Sequence, residues 1–131
     1  MPEEAADFWP ELNSAKLRTP VLILKEQAAL LGKHTKNLVV ADVETYTYND
    51  RFFHRFIIEA RALSYRYELF RVSHDVMLYP LKLESGPNGK LLIGTSGFFN
   101  SEDEFVNWLK EVLNSGDTKR VLNTLLAQVE A

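Results

Sequence analysis

The chemistry open to this chain is narrow from the outset, because it contains no cysteine. Disulfides, thiolate metal sites and cysteine nucleophiles are therefore excluded. Three histidines are candidate bases or ligands, but His34, His54 and His74 are far apart and lack the local spacing of a metal site. His54 falls on the apolar side of a strand, opposite Thr45, where two readings compete. It is either a core-edge imidazole bonded to a hydroxyl or carbonyl, or a general base lining a pocket. His74, followed by Asp75, reads as turn chemistry. Asp42 and Glu44 lie two positions apart on a strand and share a face, as a metal clamp would require. Their neighbouring cation is Arg55, which would neutralise Glu44 rather than activate a water. No metal ligand set and no cofactor are expected.

Other catalytic patterns fail on spacing. Gly86-Pro87-Asn88-Gly89-Lys90 contains a Gly-Lys pair but neither a phosphate loop's spacing nor its Ser or Thr, and Pro87 removes an amide donor. A hairpin turn accounts for it better. No dinucleotide fingerprint follows a strand, and no serine occupies a nucleophile elbow.

The sharpest asymmetry lies in the arginines. Five of seven (Arg51, Arg55, Arg61, Arg66, Arg71) fall within residues 51–71, where there is no lysine, and all five tyrosines lie between 46 and 79. Arginine and tyrosine on one sheet face suit bidentate anion contacts, stacking, or a protein interface of low side-chain entropy. The competing reading has helices covering that face and the arginines paired with Asp42, Glu44, Glu59 and Glu68.

The elements that would position these residues follow from periodicity. Thr19-Pro20 reads as a helix start, and Val21, Leu24, Ala28 and Leu31 share a helical face as far as Gly32, a natural stop. The period then becomes two. Residues 38–48 and 51–61 alternate as strands around a two-residue Asn49-Asp50 turn. That turn pairs Tyr48 with Arg51, Tyr46 with Phe53 and Glu44 with Arg55. On the other face it pairs Val43 with Phe56, Ala41 with Ile58 and Val39 with Ala60. One face is then nearly all apolar and the other carries an ion pair and an aromatic pair. Residues 57–66 also contain a helix-like spacing, but strand-favouring tyrosines place a third strand at 65–72. A fourth follows at 76–84, with Pro80 at an edge or bulge, and a fifth at 90–96. Ser101-Glu102-Asp103-Glu104 is a capping box before a helix carrying Phe105, Trp108, Leu109 and Val112. Ser115-Gly116 ends it, and Asp117 caps a last helix.

The expected architecture is α+β: an antiparallel meander of about five strands flanked by one N-terminal helix and two C-terminal helices. A length of 131 residues, 46% hydrophobic and 25% charged, fits a single globular domain over 1–131. Residues 1–18 form an N-terminal arm, with Phe8 and Trp9 in a short helix docked on the body, and 101–131 a helical pair. The acidic N-terminus has no apolar run like a secretory signal, and no stretch approaches a membrane span. A soluble cytoplasmic protein is expected, with no membrane partner. A net charge of −3 disfavours a generic nucleic-acid coat.

The leading functional expectation is a non-catalytic binding or assembly module, a homodimer or a partner of another protein, using Tyr46, Tyr48, Arg51, Phe53 and Arg55. Two alternatives come from other classes. One is a small-molecule-binding protein or small enzyme with a pocket near His54, Asp42 and Glu44. The other is a single-stranded nucleic-acid binder on the aromatic sheet face.

Overall fold

Thr19 and Pro20 open the first helix as their residue types require. In the computed structural model, which describes residues 5–14, 17–86 and 97–131, this helix, α1, spans Pro20–His34. Thr19 Oγ1 accepts the Leu22 amide at 3.2 Å, and the proline has no amide to leave unpaired. The helix passes Gly32, its expected stop, and ends two residues later. Gly32 is buried, and a Cβ there would lie 2.8 Å from Asn37 Oδ1, the tip of an exposed side chain that can swing aside.

Strands β1 (Val40–Tyr48) and β2 (Arg51–Ala60) form the expected hairpin. Asn49 and Asp50 both have positive φ, 49° and 62°, the turn geometry that matches the twist of paired strands. The pairing is Tyr48 with Arg51, Tyr46 with Phe53, Glu44 with Arg55, Val43 with Phe56 and Ala41 with Ile58, as the alternation predicts. Residues 57–66 resolve as strand, turn and strand. β2 ends at Ala60, Arg61–Leu63 make one 3-10 turn, Ser64 adopts a left-handed conformation, and β3 runs Tyr65–His74.

One residue in β3 sets the phase of everything after it. Ile57 pairs with Glu68, but Phe56 pairs with Phe70, which leaves Leu69 as a bulge. The slip keeps Phe70, Val72 and His74 on the core face. Without it Arg71 would oppose His54 and face inward. β3 also runs longer than expected, so Ser73 and His74 are strand residues and not a turn.

The fourth strand is shorter than the sequence predicts: β4 covers Leu81–Ser85, and Pro80 precedes it. A turn at Asp75–Leu78 occupies the start of the expected strand, held by the Leu78 amide on the Asp75 carbonyl and the Met77 amide on the Asp75 carboxylate. Asp75 competes here with the ladder for local amides. The expected fifth strand at 90–96 and turn residues 87–89 lie outside the described residues. The described fifth strand, β5, is Phe98–Phe99, and the sheet order is the meander β1-β2-β3-β4-β5.

Helices α2 (Glu102–Leu113) and α3 (Gly116–Glu130) complete the chain. Ser101 Oγ accepts the Glu104 amide at 3.2 Å, with three acidic residues in the first turn. The cap of α3 is Ser115 and not Asp117: Ser115 Oγ accepts the Thr118 amide at 3.2 Å, and Asp117 falls inside the first turn.

The core joins Ile23 and Leu24 of α1, Phe105, Trp108, Leu109 and Val112 of α2, and Leu125 of α3 to one face of the sheet, including Phe56, Ile58, Phe70, Val72 and Leu83. The three described helices α1, α2 and α3 therefore bury their apolar side chains against the same sheet face. This is the expected α+β architecture. The N-terminal arm differs from expectation. Residues 5–14 carry no helix, and Phe8, Trp9 and Leu12 are 92%, 80% and 78% exposed. A helix this short is marginal in water, and Pro10 disfavours helical geometry at Trp9. No helix among the described residues is long and apolar enough to cross a membrane.

Candidate binding face and the buried histidine pair

Because alternation sends every second side chain away from the helices, the opposite sheet face collects the polar residues of β1 to β4. Tyr46 and Phe53 stack at 5.0 Å with their rings 3° from parallel. The Arg71 guanidinium sits 5.8 Å from the Tyr46 ring centroid and donates to its hydroxyl at 2.9 Å. Arg51 donates to Ser73 Oγ from Nη2 at 3.0 Å, and Ser73 in turn donates to Glu84 at 2.6 Å. Tyr48, paired with Arg51 at the hairpin end, is well exposed. The five residues singled out in the sequence, Tyr46, Tyr48, Arg51, Phe53 and Arg55, thus share one face that carries no helix among the described residues.

Carboxylates interleave with the arginines across this face. Arg55 bridges Glu44 at 2.7 Å and also Glu68, which takes Arg71 at 2.7 Å. Arg66 reaches Glu44 at 2.7 Å, Glu59 at 3.1 Å and Asp42 at 3.5 Å. The Arg66 bond, with Arg55 beside it, holds the Glu44 carboxyl below the usual range. Burial alone would raise Glu68, but the Arg55 and Arg71 bonds outweigh it and hold that carboxyl low as well. Ile57 lies on this same face, between Asp42 and Glu68 in the register, and is nevertheless buried. Each half of the competing sequence reading is thereby answered separately: the arginines do pair internally, but no described helix covers them.

Sequence spacing concealed a second feature. His54 and His74, twenty residues apart, meet on the core face with their Nε2 atoms 2.7 Å apart, and both are buried. The bulge at Leu69 creates this meeting, because it sets Val72 opposite His54 and His74 opposite Phe52. The signal that could have found it is Leu69-Phe70, two adjacent apolar residues that break a period of two. The hydrogen-bond order is unique for neutral rings. His74 Nδ1 lies 2.7 Å from the Asp75 carbonyl oxygen, which only accepts, so the proton of His74 sits on Nδ1. His74 Nε2 must then accept from His54 Nε2–H. That leaves His54 Nδ1 to accept from the Thr45 hydroxyl at 2.9 Å. Burial, then the charges of His74 and Lys25, push the His54 pKa down to about 4.

Hydroxyl, imidazole and a second imidazole in series also have the order of an activated nucleophile. A base with a pKa of about 4 is poorly matched to neutral pH, however. Asp42 and Glu44 lie on the opposite sheet face from His54, so the three do not converge on one pocket. Among the described residues no group of three or more His, Asp or Glu side chains is placed to hold a metal ion. Comparison with protein-family models, with curated proteins and with solved structures finds no match for this chain.

Proposed function

We propose that this chain is a non-catalytic binding or assembly module that forms a homodimer through its helix-free sheet face. The observation that carries this reading is the one-sided covering of the sheet. Three helices seal one face, while the other presents the Tyr46–Phe53 stack, Tyr48 and Arg51 within an ordered lattice of charges. Side chains already held by ion pairs lose little further freedom when a partner arrives. Alternating signs around an aromatic centre suit a twofold axis, where one patch must complement itself. The nucleic-acid reading draws less support, because phosphates would compete with carboxylates already bonded to Arg55, Arg66 and Arg71. Cytoplasmic residence belongs to the same proposal and rests on the absence of cysteine.

Light scattering and circular dichroism on the full chain test the dimer. The wild type should scatter as a dimer, and Phe53→Glu should be a folded monomer. Tyr48→Glu, at an exposed hairpin end, should weaken the dimer without touching the core. A monomeric wild type refutes the proposal. Wild-type association of both variants removes this face from the interface.

A further inference from the structure

The two edges of the sheet are unlike. β1 and β5 are its terminal strands, and β5 is only two residues long. β1 runs for nine residues without a bulge, a proline or a lysine, and most of its side chains are β-branched or aromatic. Shortness, bulges, proline and lysine are the devices that keep a sheet edge from pairing with another chain, and β1 has none of them. The Asn49-Asp50 turn fixes which of its backbone groups are free. Tyr48 and Arg51 flank a two-residue turn and exchange both backbone hydrogen bonds, so Tyr48, Tyr46, Glu44 and Asp42 bond inward to β2. The amides and carbonyls of Ala41, Val43, Thr45 and Thr47 therefore point outward, and none of them has a backbone partner among the described residues.

We propose that β1 pairs antiparallel with β1 of a second copy about a twofold axis at Thr45, so that the two sheets fuse and their Tyr/Arg faces become continuous. This contact specifies the homodimer proposed above and rests on that reading. Charge selects the register. With Thr45 opposite its own copy, Glu44 faces Tyr46, Asp42 faces Tyr48 and Val43 faces Thr47, and no two like charges meet. The next register in one direction sets Glu44 against its own copy, and the next in the other sets Asp42 against Asp50. Tyr46, which meets the partner's Glu44 here, is stacked on Phe53, so the aromatic patch lies beside the same axis. The register also carries the Asn49-Asp50 turn of each copy to Val40 and Ala41 of the other. A groove of about 400 Å³ lies there between the edge and α1, whose residues beside it, Ala28, Ala29 and Gly32, are small. Its charged walls are Lys25, Arg61 and Asp42, cations in the majority, so the arriving Asp50 finds opposite charge.

Single cysteines test this geometry directly, because the chain has none of its own. Opposed residues that exchange backbone hydrogen bonds across an antiparallel pair have Cα atoms about 5.5 Å apart, within disulfide range. Thr45→Cys should therefore form a disulfide-linked dimer under mild oxidation. In Thr47→Cys the two thiols are offset by four residues, about 13 Å, and should cross-link about ten-fold more slowly. Both variants should keep the circular dichroism spectrum of the wild type. Thr47→Pro removes an outward amide and leaves the ladder with β2 intact, so ultracentrifugation should find a folded monomer where the wild type is a dimer. If that variant fails to fold, the cysteine pair alone decides. A monomeric wild type refutes the homodimer itself, and this contact with it. A dimeric wild type in which Thr45→Cys cross-links no faster than Thr47→Cys overturns the β1 contact and leaves the sheet face as the interface. A folded Thr47→Pro that keeps the wild-type mass does the same.

Discussion

The buried histidine pair should write its presence into the dependence of stability on pH. His54 is held neutral in the folded chain, with its pKa lowered from 6.5 to about 4 by burial and by the neighbouring His74 and Lys25. Between those two values the unfolded chain binds this proton and the folded chain does not. Stability therefore rises with pH across that window. The contribution is complete above about pH 6.5, decays as pH falls, and is gone below about pH 4. At about 1.4 kcal/mol per tenfold change in proton affinity, the full effect is about 3 kcal/mol. The lowered carboxyls of Glu44 and Glu68 also lose stability on acidification, but at lower pH, from the ordinary carboxylate value downward. Urea unfolding at a series of pH values, on the wild type and on His54→Gln, separates the two. Glutamine can donate to His74 and accept from Thr45 without titrating. The wild type should lose most of this stability between pH 7 and pH 5, roughly 2 kcal/mol, while the variant should be nearly flat there. Equal slopes would refute the reasoning. Nitrogen-15 spectra offer a second check: the neutral tautomers should be Nε2–H for His54 and Nδ1–H for His74, and the opposite assignment would break the hydrogen-bond chain.

Two further expectations concern packing. Ser101→Ala removes the acceptor of the Glu104 amide at the start of α2 and should cost about 1 kcal/mol in thermal or denaturant unfolding. A loss indistinguishable from zero would mean that solvent caps this helix equally well. Trp108 sits edge-on to Phe70 at 5.0 Å and against Phe99 and Phe105, so Trp108→Ala should cost about 3–5 kcal/mol. Near-wild-type stability would place Trp108 outside the core.

What was legible in the sequence were features decided over a few neighbouring residues. The Thr19-Pro20 and Ser101 caps depend on orphan amides within one helical turn. The Asn49-Asp50 turn fixes the hairpin register, because a slip of one residue would carry Phe56 and Ile58 to the solvent face. From that register came the common face of Tyr46, Phe53 and Arg55, since residues across a two-residue turn have few ways to align. Local rules also erred where distant atoms intervene. Gly32 resembles a helix stop, yet α1 runs two residues past it to His34. His74 resembles a turn residue, yet a bulge at Leu69 carries β3 through it and brings it onto His54. Only the tertiary structure decided that α1, α2 and α3 would choose one face of the sheet. That choice joins the apolar stripes of these helices to one apolar sheet face in a single core, a result that depends on elements far apart in sequence. It buried the histidine pair and left the Tyr/Arg face open, because a sheet has two sides and alternation alone does not say which of them will be covered.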